Sequence, residues 1–381
     1  MKRLICCLDG TWNDDTSEST PTNVLKLSRA IPTEAGGARQ VVKYIVGVGT
    51  GYGGKLGFGI GASGIEVGAR VLEGYAFLVE HYEPGDEIYL FGFSRGAFQA
   101  RSLAGFIALV GIAKRGNGFS SDEAWQAYRA GKGEADEATL AKLRTAAHFP
   151  APIKLVGVWD TVGNLGNPLM PWGRIAKRFR FHDTRLTETT DVGLHALSID
   201  EKRGPFRPTM WTLPTGASLR QGQHAEQVWF AGVHADVGGG YKATALSDIA
   251  LLWMAERAAA TTGLGVDLDK LRRDAKPDPL GVQHSSTTGK IFKWSAWLPF
   301  VRLVHQRAAG VGYLRRLLLG RWRTGRVARG QVMINEQIHP SVRARFSNEV
   351  SEDAGGEMRR FTYRPRNLAA ALKAEKRSKK A

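Results

Sequence analysis

A serine set between two glycines is the first group in this sequence that could do covalent chemistry. Gly92-Phe93-Ser94-Arg95-Gly96 spells Gly-x-Ser-x-Gly, the apolar run Ile88 to Phe91 leads into it, and Ala97, Ala100, Leu103, Ala104, Ile107 and Ala108 lead out at helical spacing. At such a corner the serine sits in a strained turn with its Oγ at the carboxyl edge of a sheet, and the glycines let strand and helix cross. The competing reading is a purely structural Gly-Ser-Gly corner. A serine hydroxyl becomes a nucleophile when a base takes its proton and an acid orients the base. Asp160 follows the apolar run Ile153 to Trp159, and His234 follows Gln227 to Val233, so both are expected at the same edge as Ser94. The order Ser, Asp, His matches that of hydrolases with this corner. The N–H of Arg95, opening the helix, and that of Gly10 or Thr11, after the first strand, are candidate oxyanion donors. Asp9 as a metal ligand is a minor alternative, because no His or Asp cluster at ligand spacing accompanies it; no metal and no cofactor is expected.

The elements that must position these groups are read from hydrophobic period. Candidate strands are 3–8, 41–48, 87–92, 153–159 and 227–233, and candidate helices are 23–31, 65–82, 95–112, 122–130 and 245–262. Short apolar runs alternating with helical patterns imply an α/β fold, a mainly parallel sheet with helices on both faces, and the serine corner with its Ser, Asp, His order makes the expected fold α/β-hydrolase-like. The catalytic core is expected over residues 1–265. Within it, residues 161–225 have weak periodicity and many Pro, Gly and Trp, which reads as an insertion or lid over the sheet's carboxyl edge.

A basic, helical C-terminal extension is expected over 266–365, packed on the core, with a disordered basic tail over 366–381. From Pro279 to Asn335 there is no Asp or Glu, and residues 290–329 hold ten Lys or Arg. Trp294, Trp297, Arg315, Arg316 and Trp322 fall in this stretch, a composition that suits an interfacial helix on anionic lipid. A basic helical hairpin with solvated arginines is the equal alternative.

The 381-residue chain is 43% hydrophobic and 23% charged, which excludes the disordered and fibrous classes. Its net charge of +17 favours phosphate-bearing partners. Cys6 and Cys7, the only cysteines, are strand neighbours pointing to opposite faces, so no disulfide is expected. The start, MKRLICCLDGTW, is too short in apolar residues for a signal peptide, and no apolar run approaches ~20 residues. Synthesis in the cytoplasm is expected, with signal-independent export or peripheral membrane attachment left open. Two glycine patterns compete for a nucleotide reading. Residues 49–55, GTGYGGK, resemble a phosphate loop, but Leu56 stands where a Ser or Thr would bind magnesium. Residues 59–64, GIGASG, lie about ten residues beyond the preceding strand, where a dinucleotide fingerprint would form the turn itself.

Taken in order, CLDGTWN (7–13), TNVLKL (22–27), YIVGVGTG (44–51), YEPGDEIYLFGFSRGAFQAR (82–101), VGVWDTVG (156–163), HALSIDEKRGPF (195–206), VWFAGVHADVGGGY (228–241) and, more weakly, IHPSVRAR (338–345) resemble a known family. It is the α/β-hydrolase catalytic domain of type VI secretion phospholipase effectors. The resemblance implies hydrolysis of lipid esters, with Ser94 as nucleophile, Asp160 as acid partner and His234 as base. Asp236 and His339 are rivals for the last two roles, since hydrolases also place the acid after the next-to-last strand and the histidine in a final loop. A phospholipid or other lipid-ester substrate, an anionic membrane, a secretion apparatus and an immunity protein are the implied partners, and nucleic acid is not among them. The alternative function is a non-catalytic binder of anionic membranes or polyanions on the same scaffold.

Overall fold

A computed structural model of the chain describes residues 1–10, 20–47, 64–130, 135–163, 186–286, 301–304 and 330–378. Its centre is an eight-stranded sheet. We number its strands β1 (Lys2–Leu8), β2 (Glu34–Ala35), β3 (Ala38–Ile45), β4 (Glu87–Phe93), β5 (Ile153–Trp159), β6 (Thr190–Ser198), β7 (His224–Phe230) and β8 (Glu336–Ile338). In space the order is β8-β7-β6-β5-β4-β1-β3-β2, and every pairing is parallel except β2 with β3. The flanking helices are α1 (Asn23–Arg29), α2 (Gly64–His81), α3 (Arg95–Val110), α4 (His234–Gly238), α5 (Ala245–Thr262) and α6 (Arg366–Ser378).

Both faces of the sheet are buried, as the period-two alternation of β1 shows. Leu4, Cys6 and Leu8 join the apolar cluster that contains residues of α2 and α3, whereas Ile5 and Cys7 join the cluster that contains residues of α1 and α5. This is the expected α/β-hydrolase-like arrangement, helices on both faces of a mainly parallel sheet. Cys6 and Cys7 are free and buried. The chain leaves β1 toward β3 and then returns to the other side of β1 to form β4. The carboxyl ends of β1 and β4 therefore flank a point where strand order reverses, the place where open α/β sheets form a crevice. Ser94 lies at the end of one of these strands, and Asp9 and Gly10 at the end of the other.

Four expectations need correction. Residues 161–225 are not an insertion throughout, because β6 crosses them and pairs with both β5 and β7. Strand Thr190–Ser198 is buried along almost its whole length, but Gly193, His195 and Ser198 interrupt its apolar run and hide its period. The described part of the extension is mixed in structure: Gln331–Met333 pairs with Thr212–Pro214, and Glu349–Asp353 pairs with Met358–Thr362, around a short helix at Pro340–Arg345. The tail is not disordered over its described residues. It forms α6, whose Leu368 and Ala371 are buried in an apolar cluster with Leu197, Trp229 and Val342, although it runs into the basic stretch KAEKRSKKA. The strands expected at 41–48 and 227–233 end three residues earlier, at Ile45 and Phe230. The stretch 231–233 turns into α4 instead.

Candidate active site

Close approach of backbone builds the corner at Ser94. Ser94 has φ 59° and ψ −119°, a conformation that side chains other than glycine rarely adopt. A Cβ on Gly92 would stand 2.4 Å from the Gly96 carbonyl oxygen, and one on Gly96 would stand 2.1 Å from that of Leu8. Both glycines are thus required by crossing backbone. The Ser94 N–H donates to the Trp159 carbonyl at 3.0 Å, and the Val162 N–H donates to the Ser94 carbonyl at 3.2 Å. The turn is stitched to the end of β5, which carries Asp160.

Three of the expected residues meet. The Ser94 hydroxyl donates to Nε2 of His234 at 2.7 Å, and Nδ1–H of His234 donates to Oδ2 of Asp160 at 2.6 Å. Ser94, His234 and Asp160 are 8%, 5% and 0% exposed, so this chain of bonds is shielded from water yet open at the serine end. His234 opens α4, and its ring packs between Phe93, 4.7 Å away, and the edge of Phe206, 4.9 Å away. Gly238 lets α4 lie on Phe93, since a Cβ there would stand 1.9 Å from the ring.

Electrostatics keep the imidazole neutral and the acid ionised. Burial alone would raise the Asp160 carboxyl, but the Arg302 charge and the bonds from His234 and Arg302 outweigh it and hold the group well below the usual carboxylate range. Burial lowers His234, Asp160 opposes that effect, and Arg203 reinforces it, so the imidazole stays below its ordinary value. A neutral Nε2 lone pair beside a serine hydroxyl is the state a general base needs.

The rivals are engaged elsewhere. Asp236 accepts from the Val233 and His284 N–H groups, each at 3.0 Å, and from Nδ1 of His284 at 2.6 Å. His339 caps the helix Pro340–Arg345, bonds Ser341 through Nδ1 and stacks on Phe230. Among the oxyanion candidates, Arg95 is the first residue of α3. The Gly10 N–H donates to Oδ1 of its neighbour Asp9 at 2.5 Å, while Thr22 and Tyr44 hydroxyls donate to the other carboxylate oxygen. Asp9 therefore ties the end of β1 to Thr22 and Tyr44, with the Gly10 N–H occupied. Thr11 lies outside the described residues, as do Trp294, Trp297, Arg315, Arg316 and Trp322 and both glycine patterns except Gly64. Among the described residues no group of three or more His, Cys, Asp or Glu could hold a metal, and no helix is long and apolar enough to cross a membrane. A groove of about 570 Å³ lined by Tyr82, Asp86, His148 and Phe149 lies at the amino ends of β4 and β5, the edge opposite Ser94.

Several groups at the site carried no isolated sequence signal. Ser198, ending β6, donates its N–H to Asp160 at 3.0 Å. Nε2 of His195 accepts from the Thr161 N–H at 3.3 Å, and burial pushes that imidazole down to about 3. Glu201 accepts the His234 N–H at 3.3 Å and holds Arg203, whose guanidinium lies 3.7 Å over Phe206. All belong to HALSIDEKRGPF, legible as a motif but not as strand and scaffold. Arg302, also on Asp160, had no local signal.

Residues 2–257 match the family model described as "T6SS, Phospholipase effector Tle1-like, catalytic domain". The sequence is 28% identical over 238 residues to an uncharacterised protein of Saccharomyces cerevisiae, a match covering 55% of this chain and 33% of that protein. Among solved structures, an uncharacterised protein from Pseudomonas aeruginosa is similar with a TM-score of 0.47 and 20% identity, over 78% of this chain and 50% of the other. The Tle1 effector, solved bound to the VgrG spike of the type 6 secretion system, is similar with a TM-score of 0.36 and 17% identity over 64% and 51%. A metagenomic carboxyl esterase is similar with a TM-score of 0.32 and 12% identity over 72% and 76%. The chain spans a third of the yeast relative and about half of each of the first two structures.

Proposed function

The chain belongs to the Tle1-like phospholipase effector catalytic-domain family, a lipase- and esterase-type hydrolase family, and on that premise we propose a serine hydrolase of lipid esters. The observation that carries this reading is the continuous path from Ser94 Oγ through His234 to Asp160, with bonds of 2.7 and 2.6 Å. His234 takes the Ser94 proton as Oγ attacks the ester carbonyl. The resulting oxyanion is met by the Arg95 N–H at the positive end of α3 and, with the Gly10 N–H held by Asp9, by the Thr11 N–H as second donor. His234 then returns the proton to the departing alcohol, and water releases the acyl group by the reverse path. Phospholipid is the substrate class that family membership favours, and the net charge of +17 suits an anionic lipid surface. Delivery by a secretion apparatus and restraint by an immunity protein belong to the same reading.

A fluorophosphonate probe tests the nucleophile. The wild type is labelled and Ser94→Ala is not, and a panel of phosphatidylglycerol and phosphatidylcholine vesicles then reads free fatty acid release. A folded wild type that takes no label would leave the scaffold as a binder of anionic surfaces.

A further inference from the structure

The triad acid has a partner that the three-residue mechanism does not use. Arg302 places Nη1 2.5 Å from Oδ1 and Nη2 3.0 Å from Oδ2 of Asp160, with both side chains fully buried. Such a two-pronged contact fixes a carboxylate in plane as well as in distance. The guanidinium also donates to the Ser198 carbonyl at 2.9 Å, the Ser198 hydroxyl at 2.8 Å and the Phe206 carbonyl at 2.6 Å. Its Nε is buried and has no hydrogen-bond partner among the described residues, while the other donors go to Asp160, Ser198 and Phe206.

The segment bearing Arg302 is itself anchored. Leu303 and Val304 are buried, and Val304 joins the cluster formed by Ile199, Trp229, Ile338 and Leu368. Asn367, in α6, donates one amide to the Arg302 carbonyl at 2.9 Å and to the Ile199 carbonyl at 3.2 Å. A line of contacts thus runs from α6 through Arg302 to the triad acid, and its two donors, Asn367 and Arg302, lie beyond residue 257, where the family match ends.

We propose that Arg302 is a positioning residue for this triad, fixing the Asp160 carboxylate and offsetting its charge, so that residues beyond the family-matched region are part of the catalytic unit. The proposal rests on the serine-hydrolase reading above. An acid whose charge is shared with a guanidinium stabilises an imidazolium less than an unshared one does. The other charged groups facing His234 are Glu201 and Arg203, which pair with each other, so the balance at Asp160 falls to Arg302. Removing the Arg302 charge leaves Asp160 free to favour protonated His234, and the base is then lost over a wider acidic range.

The test compares wild type, Arg302→Gln and Arg302→Lys by two readouts. One is the pH profile of kcat/KM on p-nitrophenyl butyrate, and the other is NMR titration of the His234 ring. In Arg302→Gln the His234 titration moves up by about one pH unit, and the ratio of kcat/KM at a pH well below the wild-type His234 midpoint to that at pH 9 falls about tenfold. Arg302→Lys, which keeps the charge, stays close to wild type in that ratio. Equal His234 titrations in wild type and folded Arg302→Gln overturn the proposal. If Arg302→Gln does not fold, Arg302→Met, uncharged and of similar length, takes its place: an upward move of the His234 titration supports the proposal, and a titration equal to that of the wild type overturns it. Absence of esterase activity in every protein defeats the hydrolase reading alone, while the NMR titration still judges Arg302.

Discussion

Backbone strain at Ser94 can be measured separately from the chemistry of its hydroxyl. Ser94→Ala and Ser94→Gly both remove Oγ and with it the bond to His234. They differ in the backbone, because φ 59° with ψ −119° is costly for alanine and open to glycine. A residue held in such a region stores about 1–3 kcal/mol, and glycine's greater freedom in the unfolded chain returns about 0.5–1 kcal/mol of that. Ser94→Gly is therefore expected to be more stable than Ser94→Ala by about 0.5–2 kcal/mol, with both unreactive toward fluorophosphonate. Urea denaturation at neutral pH, with equal slopes required of the two variants, gives the difference directly. A glycine variant equal to or less stable than the alanine variant refutes the claim that the turn is strained.

Gly96→Ala tests the crossing of β1 by α3. Its Cβ would meet two backbone oxygens, Leu8 at 2.1 Å and Asp9 at 2.5 Å, neither of which can rotate away. A loss of about 3 kcal/mol or more is expected in thermal unfolding, and a loss under about 1 kcal/mol rejects the close approach. Asp200→Asn tests a buried acid behind the site. Burial pushes the Asp200 carboxyl up to about 6, opposed by bonds from the Gly232 N–H and the Tyr363 hydroxyl. Its folded value lies above the unfolded one, so its stabilising contribution is complete below about pH 4 and is lost as pH rises through about 6. The neutral asparagine suffers no such loss. It should exceed wild type in stability by about 1–3 kcal/mol at pH 8 and match it near pH 4 in denaturant titrations; equal gaps at both pH values would contradict the assignment.

Legibility in the sequence followed how local the deciding interaction is. The runs ending at Leu8, Phe93 and Trp159 were readable because strands buried on both faces become continuous apolar segments. Strand Thr190–Ser198 has the same double burial, but His195 faces Gln227 and the Thr161 amide, and Ser198 faces Asp160. Those partners lie about 30 to 40 residues away, so the polar residues looked like loop. Helix α6 was hidden the same way, since the basic stretch KAEKRSKKA is contiguous in sequence whereas Leu368 and Ala371 matter only against the cluster they enter. Arg302 is the limiting case. One more arginine in a segment rich in arginine, it is distinguished only by a carboxylate 142 residues earlier.

The same distinction explains why Asp160, rather than Asp236, meets His234. β4 and β5 are neighbours in register, Phe93 opposite Trp159, so the residues that follow them fall side by side at the sheet edge. The Ser94 N–H reaching the Trp159 carbonyl is that register carried one step further. His234 comes from the end of β7, with β6 between it and β5, and must be brought back across β6. The turn at Ala231, Gly232 and Val233 does this, with Gly232 at φ +101° and its N–H on Asp200. Asp236 is the residue that closes this turn: its carboxylate takes the Val233 N–H and stands where a Cβ on Gly232 would be only 2.4 Å from its own Cβ. An acid committed to holding the turn that delivers the histidine cannot also stand beyond the histidine ring. The pairing of β4 with β5 leaves that place to the residue after Trp159.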